Sequence, residues 1–346
     1  MEMGRGKKIG VGALRGWMAQ DGAAREPTKR LAVRVVSVTP EAQDIVSVEL
    51  AHPDGEQLPA FTAGAHIDVH LADGLTRQYS LCNAPGERHR YLVAVLNEPS
   101  GRGGSQAMHR LQPGDIVTVS GPRNNFALAG REASFHLLLA GGIGITPMMA
   151  MVAELKARKA DFRLHYCTRN KERTAFLGRL KPFIKQGKVV LHHDDGDPAR
   201  GLDIAAMLAA PVPGQHVYVC GPAGFMAVAK ASVGAWPPHA VHFEHFIAVA
   251  LTEEEAAWDK MPFKIKIKRT GKVFDVPANC SIVNALRQHG IEVETSCEDG
   301  YCGTCITRYV EGEPVHRDTV LSEGERKNYV MVCRARARSP TLVLDI

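Results

Sequence analysis

The residues best equipped for chemistry are Cys297-Glu-Asp-Gly-Tyr-Cys302-Gly-Thr-Cys305, answered 28 positions later by Cys333. Three thiols spaced C-x4-C-x2-C with a distant fourth match a ligand pattern for a 2Fe-2S cluster, in which a short loop wraps one side of the inorganic core. A zinc site, which usually repeats C-x2-C twice, and a chance grouping of buried cysteines are the other readings of these residues. Gly300 and Gly303 stand between the ligands, where a tight bend needs small residues and its amides can reach the sulfurs. A cluster held here takes electrons one at a time, which makes the loop an electron outlet.

Four other stretches suit phosphates and rings. Arg77-Gln-Tyr79-Ser80 closes an expected strand: the arginine can pair with a phosphate, the tyrosine can pack on a flavin, and the serine can hydrogen-bond the ring's redox-active edge. An ordinary half-buried strand with an exposed arginine would read the same. Gly101-Arg102-Gly103-Gly104-Ser105 precedes an expected helix, so its amides, Arg102 and Ser105 can face phosphate oxygens. Gly141-Gly142-Ile143-Gly144-Ile145-Thr146-Pro147-Met148 follows an apolar strand and opens a helix, with Thr146 expected as N-cap and Pro147 at the first helical position. Its glycines let a dinucleotide's pyrophosphate approach the backbone, although the spacing is not GxGxxG. Tyr218-Val-Cys220-Gly221-Pro222-Ala-Gly224-Phe-Met226 ends a core strand at the sheet edge where ligands bind, so Cys220 can contact a nicotinamide or be merely a small buried apolar residue. Apart from these four, Thr168-Arg169 ends another strand, where an arginine can read a 2′-phosphate or a plain ribose and pyrophosphate.

The elements that must position these groups fall into three sets. From Leu31, six short β-rich runs (LAVRVVSV, DIVSVEL, HIDVHLA, TRQYSL, YLVAVL, DIVTVS) predict an antiparallel barrel over 31–125, interrupted by one helix from Gly104 to Leu111. After Asn124-Asn125 strands and helices alternate up to Phe246, which predicts a doubly wound parallel α/β domain over 126–246. An acidic, Ala-rich stretch over 247–261 reads as a linker with room for a short helix. A hairpin, a helix from Ile282 to His289, the cysteine loop and a final strand TLVLDI then give a small α+β domain over 262–346. Residues 1–30 are basic and Gly/Ala-rich without an apolar signal core, and are expected to be a mobile tail.

Composition bounds the partners. The 346 residues imply two or three domains, and 45% hydrophobic with 23% charged residues is ordinary for a globular protein. The net charge of +5 is small against 42 basic and 37 acidic residues spread along the chain, so nucleic acid is not an expected partner. No apolar run is long enough to span a bilayer. Four of the eight cysteines go to the cluster. Cys82, Cys167, Cys220 and Cys280 are expected as reduced thiols in a cytoplasm. None of the fifteen histidines falls in an HExxH or CxxCH context.

The four motifs, in this order and ahead of the cysteine loop, resemble the phthalate dioxygenase reductase family, which includes vanillate demethylase reductase subunits. The resemblance spans about 31–346 and implies a multi-domain chain: an FMN-binding antiparallel β-barrel, a ferredoxin-reductase-like NAD domain, and a plant-type 2Fe-2S ferredoxin domain. It implies FMN contacts from Arg77, Tyr79, Ser80, Arg102, Gly103, Gly104 and Ser105, with FMN favoured over FAD by the mononucleotide-type loop. It implies NAD contacts from Gly142, Gly144, Thr146, Pro147, Cys220 and Gly221, with Arg169 near the adenosine ribose and NADH favoured over NADPH. Phe246 in His242-Phe-Glu244-His-Phe246 matches the aromatic that covers the flavin ring; a core phenylalanine at a strand end would look alike. Ser80, Cys220 and Phe246 would then stand at the hydride transfer. Electrons would pass from NADH to FMN, to the cluster and to a terminal Rieske-type non-haem-iron oxygenase. A cytochrome or a separate ferredoxin is the alternative acceptor. A monomer suits such a shuttle, and Glu292, Glu294, Glu298 and Asp299 form an acidic rim that can steer docking. The oxygenase's own substrate, whether aromatic acid, aryl methyl ether or quaternary amine, is not written in this chain.

Overall fold

The computed structural model describes residues 30–71, 75–130, 132–247 and 250–346, so the expected N-terminal tail lies, Arg30 apart, outside the described residues. The first set of elements comprises β1 (Arg30–Ala42), β2 (Ile45–Ala51), β3 (His66–His70), β4 (Thr76–Ser80), β5 (Tyr91–Leu96), α1 (Gly104–His109) and β6 (Ile116–Ser120). The strands pair antiparallel in the order β4-β3-β6-β1-β2-β5. A backbone bond from Cys82 N to Leu92 O at 2.7 Å ties the stretch after β4 back to β5. Alternation sends Val33, Val48, Ile67, Val69, Val93 and Val119 inward, all fully buried.

The second set is β7 (Phe135–Gly141), α2 (Ile145–Arg158), β8 (Phe162–Thr168), α3 (Leu177–Lys185), β9 (Val189–His193), α4 (Ile204–Leu208), β10 (Gln215–Cys220), α5 (Ala223–Ser232) and β11 (Val241–Glu244). All four strand pairings are parallel, in the order β11-β10-β7-β8-β9. The chain runs from β7 through β8 and β9 on one side and then crosses back to β10 and β11 on the other, so the carboxyl ends of β7 and β10 frame the crevice that ligands use in open α/β sheets. This layer does not stand apart from the barrel. Cys82, Leu92 and Ala94 of the barrel share one apolar core with Ala140, Ile145 and Met148. Burial of these side chains fixes helix α2 against β5 and sets the dinucleotide edge beside the barrel.

One expectation about α2 is corrected. Thr146 is not its N-cap, and Pro147 is not its first residue. Gly142–Gly144 form a single 3-10 turn, Ile145 begins the α-helix, and Gly144 occupies the cap position without a side-chain cap. Thr146 is buried inside the first turn and its Oγ1 donates to Ile143 O at 3.0 Å. The glycines make the difference: they let the backbone begin turning earlier than a Ser/Thr cap would.

The third set is α6 (Glu253–Ala257), β12 (Phe263–Ile267), β13 (Val273–Val276), α7 (Ile282–Gln288), β14 (Ile306–Glu311), β15 (Pro314–Val315), α8 (Glu323–Arg326), β16 (Tyr329–Met331), β17 (Arg336–Ala337) and β18 (Thr341–Leu344). Five of its strands order as β13-β12-β18-β14-β16, with β12 and β18 parallel. Ser281 caps α7 by accepting from Asn284 N, and Ile282, Val283 and Leu286 bury against the sheet. The expected linker carries helix α6, closed by a reciprocal Thr252–Glu255 capping box.

Arg336 stitches that linker to the third module. It is 1% exposed, and its guanidinium donates to the carbonyls of Trp258, Met261, Pro277 and Cys280. Four acceptors from two separate turns, 258–261 and 277–280, converge on one planar donor, which lysine's point charge cannot copy. Arg336→Leu strands these carbonyls in a dry site and is expected to destabilise the third module by at least about 3 kcal/mol. Urea unfolding followed by far-UV circular dichroism checks it; a loss below about 1 kcal/mol would show that the carbonyls find other donors.

Candidate functional site: the cysteine loop, its seam with the barrel and the dinucleotide edge

The cysteine loop owes its shape to backbone that most residues avoid. Glu298, Gly300 and Gly303 adopt φ values of 56°, 78° and 81°, each in the left-handed region. A Cβ at Gly300 would press on Arg334 and one at Gly303 on Asn125, so both glycines also answer to crowding. The four thiols are buried. They associate in twos: Cys297 with Cys302 and Cys305 with Cys333. The hydrogen bond between the two thiols holds Cys302 below the usual thiol range and pushes Cys297 up. Asp299 N lies 3.3 Å from Cys297 Sγ and Thr304 N lies 3.5 Å from Cys302 Sγ, donors suited to thiolates. Among the described residues no three His, Cys, Asp or Glu side chains gather as a single ion needs. Two pairs of thiols fit a binuclear core, which asks for two ligands at each iron.

The loop is gripped by the barrel. Asp68 on β3, 1% exposed, accepts from Arg123 Nη2 at 2.5 Å, from Gln78 Nε2 at 3.0 Å and from Ser296 Oγ at 2.8 Å. Arg123 Nη2 also donates to Thr304 Oγ1 at 3.0 Å, and Asn125 Nδ2 donates to Cys302 O at 3.0 Å. Ser296 directly precedes the first ligand and Thr304 lies between the second and third. The Arg123 guanidinium and the hydrogen bond it makes hold the Asp68 carboxyl below its ordinary value against the opposing effect of burial. Beside it, burial and then Arg123 push the His66 imidazole down to about 4.

Next to this seam lies a cleft of about 390 Å³. Arg77 and Arg102 line it from the barrel, and Arg287, Ser296 and Cys297 from the third module. Arg77 lies across Gly104, where a Cβ would come within 2.5 Å of its Cγ, and donates to Thr76 O at 2.8 Å and Arg102 O at 3.1 Å. Gly103, at φ 81°, turns the chain into α1. Three arginines and a glycine turn beside a cysteine of the loop suit a phosphate-bearing ring. Tyr79 is partly buried against the barrel core, and Ser80 is 4% exposed.

At the dinucleotide edge the two glycine stretches meet. A Cβ on Gly144 would lie 2.1 Å from Cys220 O, and one on Gly221 would lie 3.1 Å from Gly141 Cα. Close approach is thus the reason for glycine at 144 and 221. Cys220 is fully buried, and burial pushes its thiol well up, so it is a neutral thiol rather than a nucleophile. Phe246 is half-buried on the core that joins barrel and α/β layer. Arg169 is exposed just past β8, its carbonyl accepting from Asp195 N at 2.7 Å.

With this geometry in hand, three family models match the chain in order: an oxidoreductase FAD-binding domain over 32–128, an oxidoreductase NAD-binding domain over 138–231, and a 2Fe-2S iron-sulfur cluster binding domain over 265–338. The tert-butanol monooxygenase / tert-amyl alcohol desaturase reductase subunit of Aquincola tertiaricarbonis is 46% identical over 328 residues, covering 92% of this chain and 97% of the relative. Vanillate O-demethylase oxidoreductase of Pseudomonas putida is 46% identical over 319 residues, covering 90% and 98%. The solved structure of phthalate dioxygenase reductase aligns at TM-score 0.68 and 43% identity over 92% of this chain and 98% of its own. The chain belongs to the phthalate dioxygenase reductase family. It is an oxidoreductase assembled from flavin-binding, NAD-binding and 2Fe-2S modules.

Within this family frame, two parts of the sequence reading change. Glu298 and Asp299 are not a free acidic rim: Glu298 accepts from Arg287 at 2.8 Å and from Thr295 at 2.8 Å, while Asp299 accepts from Arg102 at 2.7 Å. Arg102 thus bonds the cysteine loop while it also lines the cleft. Asp68, Arg123, Asn125, Ser296, Thr304 and Arg287 were missed. The one signal for Asp68 was a carboxylate in the outward phase of HIDVHLA, which by itself reads as solvated surface.

Buried histidines make the fold acid-sensitive. His66 and His165, each held to about 4 chiefly by burial, stay neutral in the folded chain where the unfolded chain protonates near 6.5. The unfolded state therefore binds more protons between those values, and stability falls as pH drops from about 6.5 to 4. The depressed Asp68 carboxyl adds its loss only below its unfolded value of 3.8. Urea midpoints at pH 7 and pH 5 are expected to differ, and His66→Asn is expected to narrow the gap; equal midpoints in the wild-type chain contradict the shifts.

Proposed function

We propose that this chain is the NADH-dependent reductase component of a two-component oxygenase system, delivering electrons to a Rieske-type non-haem-iron oxygenase. The observation that carries the reading is the shared cleft: the arginines suited to a flavin phosphate and the first cysteine of the cluster loop line one cavity. Its supports outside the site are relatives whose names describe reductase subunits of oxygenase systems.

When bound, the nicotinamide would supply a hydride, the flavin would accept it, and the 2Fe-2S cluster would carry the two electrons onward one at a time. The chain's part is to bind and orient. Arg77, Arg102, Gly103, Gly104 and Ser105 take the flavin phosphate, a monophosphate that favours FMN. Tyr79 and Phe246 pack on the ring, and the Ser80 hydroxyl meets its redox-active edge. Gly142, Gly144, Thr146, Pro147 and Gly221 let the pyrophosphate of NADH rest on the backbone, Arg169 takes the ribose, and Cys220 stands at the nicotinamide end as a neutral thiol. Cys297 and Cys302 take one iron, Cys305 and Cys333 the other. No proton needs to move at the cluster, and the loop's two carboxylates, Glu298 and Asp299, are engaged in ion pairs with Arg287 and Arg102.

We infer module boundaries of 31–125, 126–246 and 262–346, with 247–261 as linker. Among the described residues no helix is long and apolar enough to cross a membrane, and none of the eight cysteines is in a disulfide, which supports a reducing compartment such as the cytoplasm. One chain carrying the whole relay suits a monomer. Cys305→Ser is expected to abolish electron delivery to cytochrome c through the cluster while NADH still bleaches the flavin absorbance. Full retention of both activities contradicts the proposed electron order.

A further inference from the structure

The barrel does more than hold the cysteine loop in place. Arg123 precedes Thr304 by 181 positions of sequence, yet its Nη2 directs one proton to Asp68 Oδ2 at 2.5 Å and the other to Thr304 Oγ1 at 3.0 Å. Thr304 Oγ1 lies 3.3 Å from Cys302 Sγ. A hydroxyl has one proton. Because the Thr304 oxygen accepts from a cationic donor, its own proton is left for the neighbouring sulfur, and a cysteine ligated as thiolate can only accept it. Asp68, almost fully buried and held by three donors, fixes the guanidinium so that this donation is not lost to another partner.

We propose that Arg123 is a positioning residue that tunes the cluster from the flavin module, through the chain Asp68–Arg123–Thr304–Cys302. Hydrogen bonds to the ligand sulfurs stabilise the more negative, reduced cluster and raise its potential. A charge-assisted donor behind the hydroxyl strengthens that bond. Docking of the third module on the barrel therefore makes the cluster a better acceptor when it lies beside the flavin cleft, and undocking removes that gain. The inference rests on the reading that Cys297, Cys302, Cys305 and Cys333 hold a 2Fe-2S cluster; a protein with no cluster absorbance would refute that reading and not the chain of hydrogen bonds.

The test is a potentiometric titration of the cluster in the intact holoprotein, read by the electron paramagnetic resonance signal of its reduced form. Thr304→Val is expected to make reduction about tenfold less favourable, a fall of about 59 mV for one electron, and Thr304→Ser to keep the wild-type value. Arg123→Met combined with Asp68→Asn, which removes both charges together, is expected to lower the potential in the same direction. Adding Thr304→Val to that pair should give less than the sum of the two shifts. Arg123→Gln serves as a second variant that leaves Asp68 hydrogen-bonded, and it too must shift the potential downward. Wild-type potential in Thr304→Val or in Arg123→Gln, or full additivity in the combined variant, overturns the proposal.

Discussion

A buried ion pair, Asp68 with Arg123, sits where the barrel and the cysteine-loop module meet, and the arrangement of the electron path depends on it. Taking two charges out of water is expensive, and such pairs often add little net stability over an apolar replacement. What this pair adds is direction. Both oxygens of the carboxylate have fixed donors, one guanidinium nitrogen, Nη2, has two fixed acceptors, and together these bonds tie the loop to the barrel. Slippage by a few ångströms would leave charged groups without partners in a dry seam, a penalty that apolar packing cannot impose.

The other constraints build outward from that seam. Left-handed backbone at Glu298, Gly300 and Gly303 bends the loop so that its thiols fall into two pairs. The apolar core shared by Cys82, Leu92, Ala94, Ile145 and Met148 fixes the dinucleotide edge to the other side of the barrel. Arg336 gathers the linker carbonyls and sets where the third module begins. The barrel is thus the common frame, held to one neighbour by hydrophobic burial and to the other by hydrogen bonds and charge. Apolar burial is non-directional and suits a permanent joint. Polar contacts are directional and more readily exchanged with water, which suits a module that must also meet a partner.

Much of this was legible in the sequence because it is local. The C-x4-C-x2-C spacing, the glycine stretches at 101–104 and 141–144, and the switch from alternating strands to strand–helix rhythm each depend on neighbours a few residues apart. The seam was not legible, because Asp68 and Ser296 are separated by 228 positions and Asn125 and Cys302 by 177. In β3 the outward residues His66 and Asp68 are polar, as a solvated face would be, yet they are 3% and 1% exposed because another module covers them. The misplaced cap at Thr146 has a different cause: the cap rules assume that a helix starts abruptly, whereas the glycines let it start through a 3-10 turn. Two of the four carboxylates of the acidic rim are paired, Asp299 with Arg102 from 197 positions away and Glu298 with Arg287 from 11 positions away, contacts that the local run of acids does not reveal.

The central claim is that flavin and cluster form one intramolecular pair held by the barrel. Anaerobic rapid mixing of the holoprotein with NADH, over a tenfold range of protein concentration, tests it most directly. Flavin absorbance should bleach first, and cluster absorbance should follow with a first-order rate that does not change with protein concentration. A cluster phase that accelerates in proportion to protein concentration would place the transfer between molecules and contradict the account.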